Sequence, residues 1–259
     1  MKTIMKCTAK IRIPTSVNQV VVWADAQCGA DAKPGSGFCA LHEPAPTEKS
    51  APAGNPRHLG WEIPPAIPRG PGKRKLWLTS DEHYGHKNII AYQNRPFHNL
   101  EEMDRALVAN HNAVVGHDDC VIHVGDFSFG NGAFFAKTAK SLNGAHFFMD
   151  GSHDRAMREF FSDPEALGGV GTAGADPKLN LLPKLFEFTY AGRAVVLCHY
   201  QMAAWKASHH GESTHFYGHS HAKTQPDKSK RCRDIGVDTA DCTFYPIQID
   251  RAIQSVLGA

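Results

Sequence analysis

Asp81-Glu82-His83, Gly125-Asp126, Gly151-Ser152-His153-Asp154, His199 and Gly218-His219-Ser220-His221 follow one another between positions 81 and 221. A single His or Asp is more often a surface or satisfied core group than a ligand. Here each group lies at the end of an apolar, β-prone run or just after it. The runs are Leu76–Thr79, Cys120–Val124, His146–Met149, Ala194–Cys198 and His215–Tyr217. Strand ends that converge on one edge of a sheet bring distant side chains together. Carboxylates and imidazoles gathered in this way suit divalent Mn, Fe, Zn or Ni. Two such ions about 3.5–4 Å apart clamp a phosphate and acidify a bound water.

The elements that must position these groups are legible in part. Leu76–Ser80, Cys120–Val124 and His146–Met149 predict buried strands. Leu100, Met103, Leu107 and Val114 share one face of a helix over Asn99–Val115. A second helix is predicted over Ala133–Leu142, stopped by Asn143-Gly144. Phe186–Tyr190 and Arg193–Cys198 flank Ala191-Gly192, a hairpin turn. Short strands are predicted at His215–Tyr217 and Asp234–Val237, and a terminal helix at Asp250–Leu257. Early strand–helix alternation with later hairpins implies a mixed-sheet α/β sandwich.

Hydrophobic residues make up 42% of the 259 and charged residues 21%, which fits a soluble globular chain. A net charge of +2 gives no composition-level case for nucleic-acid binding. No run has the length of a membrane span, and the N-terminus lacks the apolar segment of a secretory signal. A cytoplasmic protein without a membrane partner is expected, and its seven cysteines then read as thiols or metal ligands. Eight of the sixteen prolines fall between residues 43 and 75. That composition predicts a linker between a small unit (1–42) and a catalytic domain (76–259).

The ordered motifs resemble the calcineurin-like metallophosphoesterase superfamily over about residues 76–250. Asp81–Ile90, Asn94–Phe97, Gly125–Gly130 and Ser208–Gly211 before Tyr217–His221 resemble its small phage and bacterial branch. The resemblance implies a four-layer α/β/β/α sandwich with metals at the strand ends. It implies that Asp126 bridges two metals, that Asp81, His83 and His221 hold the first, and that Ser152, His199 and His219 hold the second. His153 would contact the phosphate and protonate the leaving oxygen, with Asp154 orienting its ring. The expected reaction is attack of a metal-bound hydroxide on a phosphodiester, cyclic nucleotides included, or on a phosphomonoester. A phosphorylated small molecule or nucleotide is thus the expected partner.

One position departs from the family pattern. The family has Gly-Asn-His-Asp/Glu where this chain has Gly151-Ser152-His153-Asp154. A serine hydroxyl is shorter and a poorer ligand than an amide oxygen, so a weaker second metal site is expected. His86, Asn88 and Arg95 read as lining the substrate face. Arg95 reads equally as a helix cap or a partner of Glu101 or Glu102. His210 could support a metal ligand, but His209 and His210 read more readily as an exposed pair. Two alternatives stand beside the phosphoesterase. One is a nuclease acting on DNA or RNA, favoured if the basic run Lys228, Lys230, Arg231 and Arg233 binds nucleic acid. The other is a non-catalytic binding protein whose site Ser152 weakens.

Cys7, Cys28, Cys39 and His42 lie outside the catalytic domain. The unit resembles small phage-type zinc-binding modules with a Gly-x-(Tyr/Phe)-Cys-x-x-His pattern, and here Gly35-Ser36-Gly37-Phe38 supplies a turn before Cys39-x-x-His42. Forty-two residues bury little core, and one tetrahedral structural zinc on these four side chains would supply folding energy. Cys39→Ser is therefore expected to lose one tightly held zinc and loosen residues 1–42, while any turnover by the catalytic domain persists. Unchanged zinc stoichiometry by metal analysis would reject the module.

Overall fold

The computed structural model describes residues 10–17, 20–27, 67–162, 178–224 and 231–257. The chain divides into two compact units, Met1–Lys49 and Ser50–Ala259. The division falls within the stretch read as a linker. In the first unit β1 (Lys10–Val17) pairs antiparallel with β2 (Val20–Gln27), Val17 opposite Val20. Ile11, Ile13 and the Val20–Val22 run favour strands. The spacing of cysteines and histidines predicts no strand there. Cys7, Cys28, Cys39 and His42 lie outside the described residues.

The second unit opens with β3 (Leu76–Thr79), α1 (Ile89–Tyr92), α2 (Leu100–Val114), β4 (Cys120–His123), α3 (Gly132–Lys140), β5 (Ala145–Phe148) and α4 (Arg155–Ser162). It continues with β6 (Leu179–Leu181), β7 (Leu185–Tyr190), β8 (Arg193–Cys198), β9 (Ser213–Tyr217), β10 (Cys232–Asp234), β11 (Ile247–Gln248) and α5 (Ile249–Leu257). The fold is mixed α/β with two sheets. One has the order β11-β3-β4-β5-β6, parallel except for β11. The other has the order β10-β9-β8-β7, parallel except for the β7–β8 hairpin.

β3 and β4 are buried along their whole length, which is why they read as unbroken apolar runs rather than alternating ones. Leu76, Leu78, Ile122 and Phe147 face Phe186, Phe188, Val195, Leu197 and Phe216 of the other sheet, with Ile249, Ala252 and Val256 of α5 in the same core. The opposite side of the first sheet packs on the helices through Phe148, Met103, Leu107, Phe135, Met157 and Phe160. The opposite side of the second sheet is covered by Trp205 and Met202 against Val196 and Tyr217.

Local signals set the element ends. Asn99 caps α2 by accepting the Glu102 amide at 2.8 Å, and the Glu102 carboxylate reaches back to the His98 amide at 2.8 Å. Asn131 caps α3 through the Phe134 amide. Ala191 and Gly192 both have positive φ, the turn that matches hairpin twist. The strand predicted over Asp234–Val237 lies instead at Cys232–Asp234. Beyond it the chain turns, and the Gly236 amide bonds Asp234 Oδ1 at 2.6 Å. No described helix is long and apolar enough to cross a membrane.

Phe148 stands between the first sheet and its helices, with ring centroids 4.8 Å from Phe135, 5.0 Å from Phe127 and 4.6 Å from His123. Phe148→Ala is expected to cost about 3–5 kcal/mol in chemical denaturation. A loss below about 1 kcal/mol would mean that the layer is not close-packed.

Candidate metal centre

Every motif residue sits on a loop at or just beyond a strand end, and those loops are tied together. The Asp81 amide bonds the Gly125 carbonyl at 3.1 Å, and the His83 amide bonds the Asp126 carbonyl at 3.0 Å. The Gly218 amide bonds the His199 carbonyl at 3.0 Å. Asp81 accepts the His219 amide with both oxygens, at 3.0 and 2.9 Å. Asp126 accepts the His153 amide at 2.8 Å and the Ser152 hydroxyl at 2.9 Å. Such close approach requires glycine. A Cβ at Gly151 would strike Asp126 Oδ1, and one at Gly218 would strike Ser80 Oγ and Asp81 Oδ2.

Two donor groups result. Asp81, His83 and His221 place one ligand atom each within 4.8 Å of one another, and Asp126, His199 and His219 do the same. Asp126 lies between the groups. Its Oδ2 is 3.7 Å from His83 Nε2 and 3.4 Å from His199 Nε2. His199 donates Nδ1–H to the Val124 carbonyl at 2.8 Å, which fixes its tautomer and leaves Nε2 buried without a hydrogen-bond partner. A buried, orphaned imidazole nitrogen aimed at carboxylates is what a divalent ion would satisfy. The donor sets, three N/O atoms each, fit such ions. Asp81, His83, Asp126, His219 and His221 all have positive φ, a strained backbone of the kind concentrated at functional sites.

Burial pushes the Asp81 carboxyl up to about 7, with His199 and His221 pulling it back. Burial works against charge on Asp126, but His199, the His153 amide and His83 outweigh it and hold that carboxyl well below the usual range. Burial also opposes charge on His199, yet the carboxylates of Asp126 and Asp81 push it up to about 9. His83 is lowered by its burial despite Asp126.

The surrounding residues correct several expectations. Arg95 does not line a substrate face. Its buried guanidinium makes two 2.8 Å bonds to Asp238 and bonds the carbonyls of Asp81 and Glu82. Neither Glu101 nor Glu102 is its partner. Asp238 in turn holds His221 Nδ1 at 2.7 Å, so Arg95 positions His221 through Asp238. Asp154 does not orient the His153 ring. Its carboxylate accepts the amides of Asp126, Phe127 and Gly151 at 2.6–2.8 Å and so builds the loop that carries Asp126. Ser152 lies beside the second group, where its hydroxyl bonds Asp126. His153 is exposed, its ring 5.2 Å from Phe129 and 5.6 Å from His83. His86 stacks on Phe129 at 3.8 Å and stays near the site, and Asn88 is exposed ahead of α1. His209 and His210 are an exposed pair. Arg233 is buried on Asp241 rather than free to steer a substrate.

Sequence reasoning missed Asp238, Phe129 and Tyr200, whose ring lies 5.0 Å from His199 and 4.8 Å from His219. It also missed a buried chain in which Glu82 bonds His123 at 2.7 Å and His123 bonds His146 at 3.0 Å. Glu82, between Asp81 and His83, was its one visible signal.

No protein-family model matches the chain. The uncharacterized protein MJ1445 of Methanocaldococcus jannaschii is 28% identical over 188 residues, which are 71% of this chain and 92% of that protein. The crystal structure of AQ665, a protein of unknown function from Aquifex aeolicus, aligns with a TM-score of 0.50 at 19% identity. The alignment covers 68% of this chain and 96% of that one. It bears on the fold alone.

The pKa shifts set a pH dependence. Asp81 and His199 are both raised in the metal-free protein. Their contribution to its stability is full below their unfolded values and is lost as pH climbs through about 7 and about 9. Metal binding needs the opposite forms, a charged carboxylate and a neutral imidazole. The Mn²⁺-induced rise in Tm is therefore expected to grow steadily from about pH 6 to pH 9, with protons released on binding. A metal-induced shift that is flat over that range would show that Asp81 and His199 give up no protons to the ions.

Proposed function

We propose that the chain is a metal-dependent phosphoesterase of the calcineurin-like kind. The observation that carries the reading is the pair of three-residue donor groups, with Asp126 a member of one and within 4 Å of His83 in the other, and the exposed His153 beside them. Two divalent ions held by Asp81, His83 and His221 and by Asp126, His199 and His219 would supply Lewis acidity for the phosphoryl oxygens and an acidified water. The His153 backbone is fixed by the hydrogen bond that its amide donates to Asp126, which leaves the ring free to give a proton to the leaving oxygen. Arg95 and Asp238 hold His221, and Asp154 holds the Asp126 loop, so the ligand positions are preorganised. The four-layer α/β/β/α sandwich belongs to the same reading. The two sheets would be its inner layers and α2, α3 and α4 one outer layer, an assignment supported by the packing on both sides of the first sheet.

The test is a Mn²⁺ titration of aryl phosphodiester and monoester turnover for the native chain, Asp126→Ala and Ser152→Asn. The native chain is expected to be weak and rescued by added metal, and Asp126→Ala to lose activity and both ions. Ser152→Asn supplies an amide oxygen, and a gained polar contact of about 1–3 kcal/mol corresponds to roughly ten- to a hundred-fold less Mn²⁺ at half-maximal rate. Full activity in Asp126→Ala would end the reading. Identical metal dependence with Asn at 152 would show that this position does not limit the site.

A further inference from the structure

Beside Ser152 and His153 opens a pocket of about 310 Å³ whose other walls include Phe129, Arg155 and Arg158. None of its lining residues is a carboxylate. Arg158 pairs with Asp150 Oδ1, and the other oxygen of Asp150 takes Lys184 at 3.0 Å. Arg155 and Arg158 thus share the pocket wall, and Arg158, like Lys184, is already paired to Asp150. Arg155 is exposed, and its guanidinium makes no hydrogen bond or ion pair among the described residues, although Glu159 lies one turn along α4. Nor does Arg155 stabilise the helix, since a cation in the first turn opposes the helix dipole. An unpaired guanidinium in a pocket without carboxylates is a receptor for a planar or tetrahedral oxyanion.

We propose that this pocket receives a second phosphate, carried on the leaving-group side of the substrate, and that Arg155 reads it. The inference rests on the phosphoesterase reading, because His153 marks the leaving-group side only if it protonates the leaving oxygen. The substrate class is then a phosphate ester whose leaving alcohol itself bears a phosphate, as in a nucleoside bisphosphate or a short strand. Phe129, stacked on His86 and close to His153, forms the apolar wall between the two phosphate positions.

The experiment is calorimetric binding to the Mn²⁺-loaded protein of adenosine 3′,5′-bisphosphate against adenosine 5′-monophosphate, with turnover of a thymidine dinucleotide carrying or lacking a terminal phosphate. The native chain is expected to prefer the second phosphate by roughly ten- to a hundred-fold, the size of one charge-assisted contact. Arg155→Ala should bring that ratio close to one and Arg155→Lys restore part of it, with the Mn²⁺-induced Tm shift intact in both. A larger Arg155-dependent ratio for the dinucleotide than for the bisphosphate identifies a strand as the source, and the reverse identifies a free nucleotide. If no ester is hydrolysed but the binding preference is present and needs Arg155, the pocket stands as a phosphate receptor, but its leaving-group assignment falls with the phosphoesterase reading. If esters are hydrolysed with no preference for a second phosphate, or the preference survives in Arg155→Ala, the pocket assignment is overturned and the phosphoesterase reading stands.

Discussion

The Asp126 carboxylate is the constraint on which the rest of the site depends. It is buried, it accepts the His153 amide and the Ser152 hydroxyl, and it sits within 4 Å of imidazoles from two donor groups. A buried carboxylate with this surplus of donors keeps its charge, and that charge is what draws His199 toward its protonated form without an ion. The loop that holds Asp126 is fixed by a second buried carboxylate. Asp154 takes three backbone amides, two of them in the Asp126 loop and one from Gly151. One acid thus builds the turn, and the other stands among the imidazoles of the candidate metal centre.

A second layer of polar contacts extends this logic under the first donor group. Arg95, Asp238 and His221 form one line, and Glu82, His123 and His146 form another. The two lines differ in charge. Arg95 and Asp238 are an ion pair, and Asp238 stays ionised although burial opposes it, through its bonds with His221 and Arg95. Burial instead pushes Glu82 up to about 8 and His123 down to about 3, which favours neutral forms of both near pH 7. A neutral chain can be buried beneath the site at little electrostatic cost, provided its members bond one another. Both lines meet the strand-end loops at Asp81–His83, where the backbone has positive φ at Asp81 and His83. Packing beneath the loops holds that strain in place.

The sequence determined a good deal by itself. Unbroken apolar runs announced β3, β4 and β5, because strands buried on both faces have no polar side to show. The 3.6-residue period and Asn99 announced α2, and Ala191-Gly192 announced the hairpin between β7 and β8. Asp81, His83, Asp126, His199, His219 and His221 were legible as candidates because each follows a strand, but His199, His219 and His221 follow β8 and β9 of the second sheet, so the packing of the two sheets is what brings them to Asp81, His83 and Asp126. Their distribution into two groups came in only from the resemblance, and the structure brings together Asp81, His83 and His221, and Asp126, His199 and His219.

Tertiary structure decided the roles that spacing cannot carry. Arg95 and Asp238 are 143 positions apart and meet because β3 and the turn after β10 pack side by side, as the Val237 amide bond to the Ser80 carbonyl records. Asp154 stands next to His153 in sequence, yet its carboxylate accepts two amides of the Asp126 loop and that of Gly151 rather than bonding the neighbouring ring. Arg155 follows directly on the motif and looks like any helix surface residue until the pocket beside His153 is seen around it. Sequence fixes which groups stand at the strand ends. Which hydrogen bonds those groups form depends on the loops brought against them, and that is set by the packing of the two sheets.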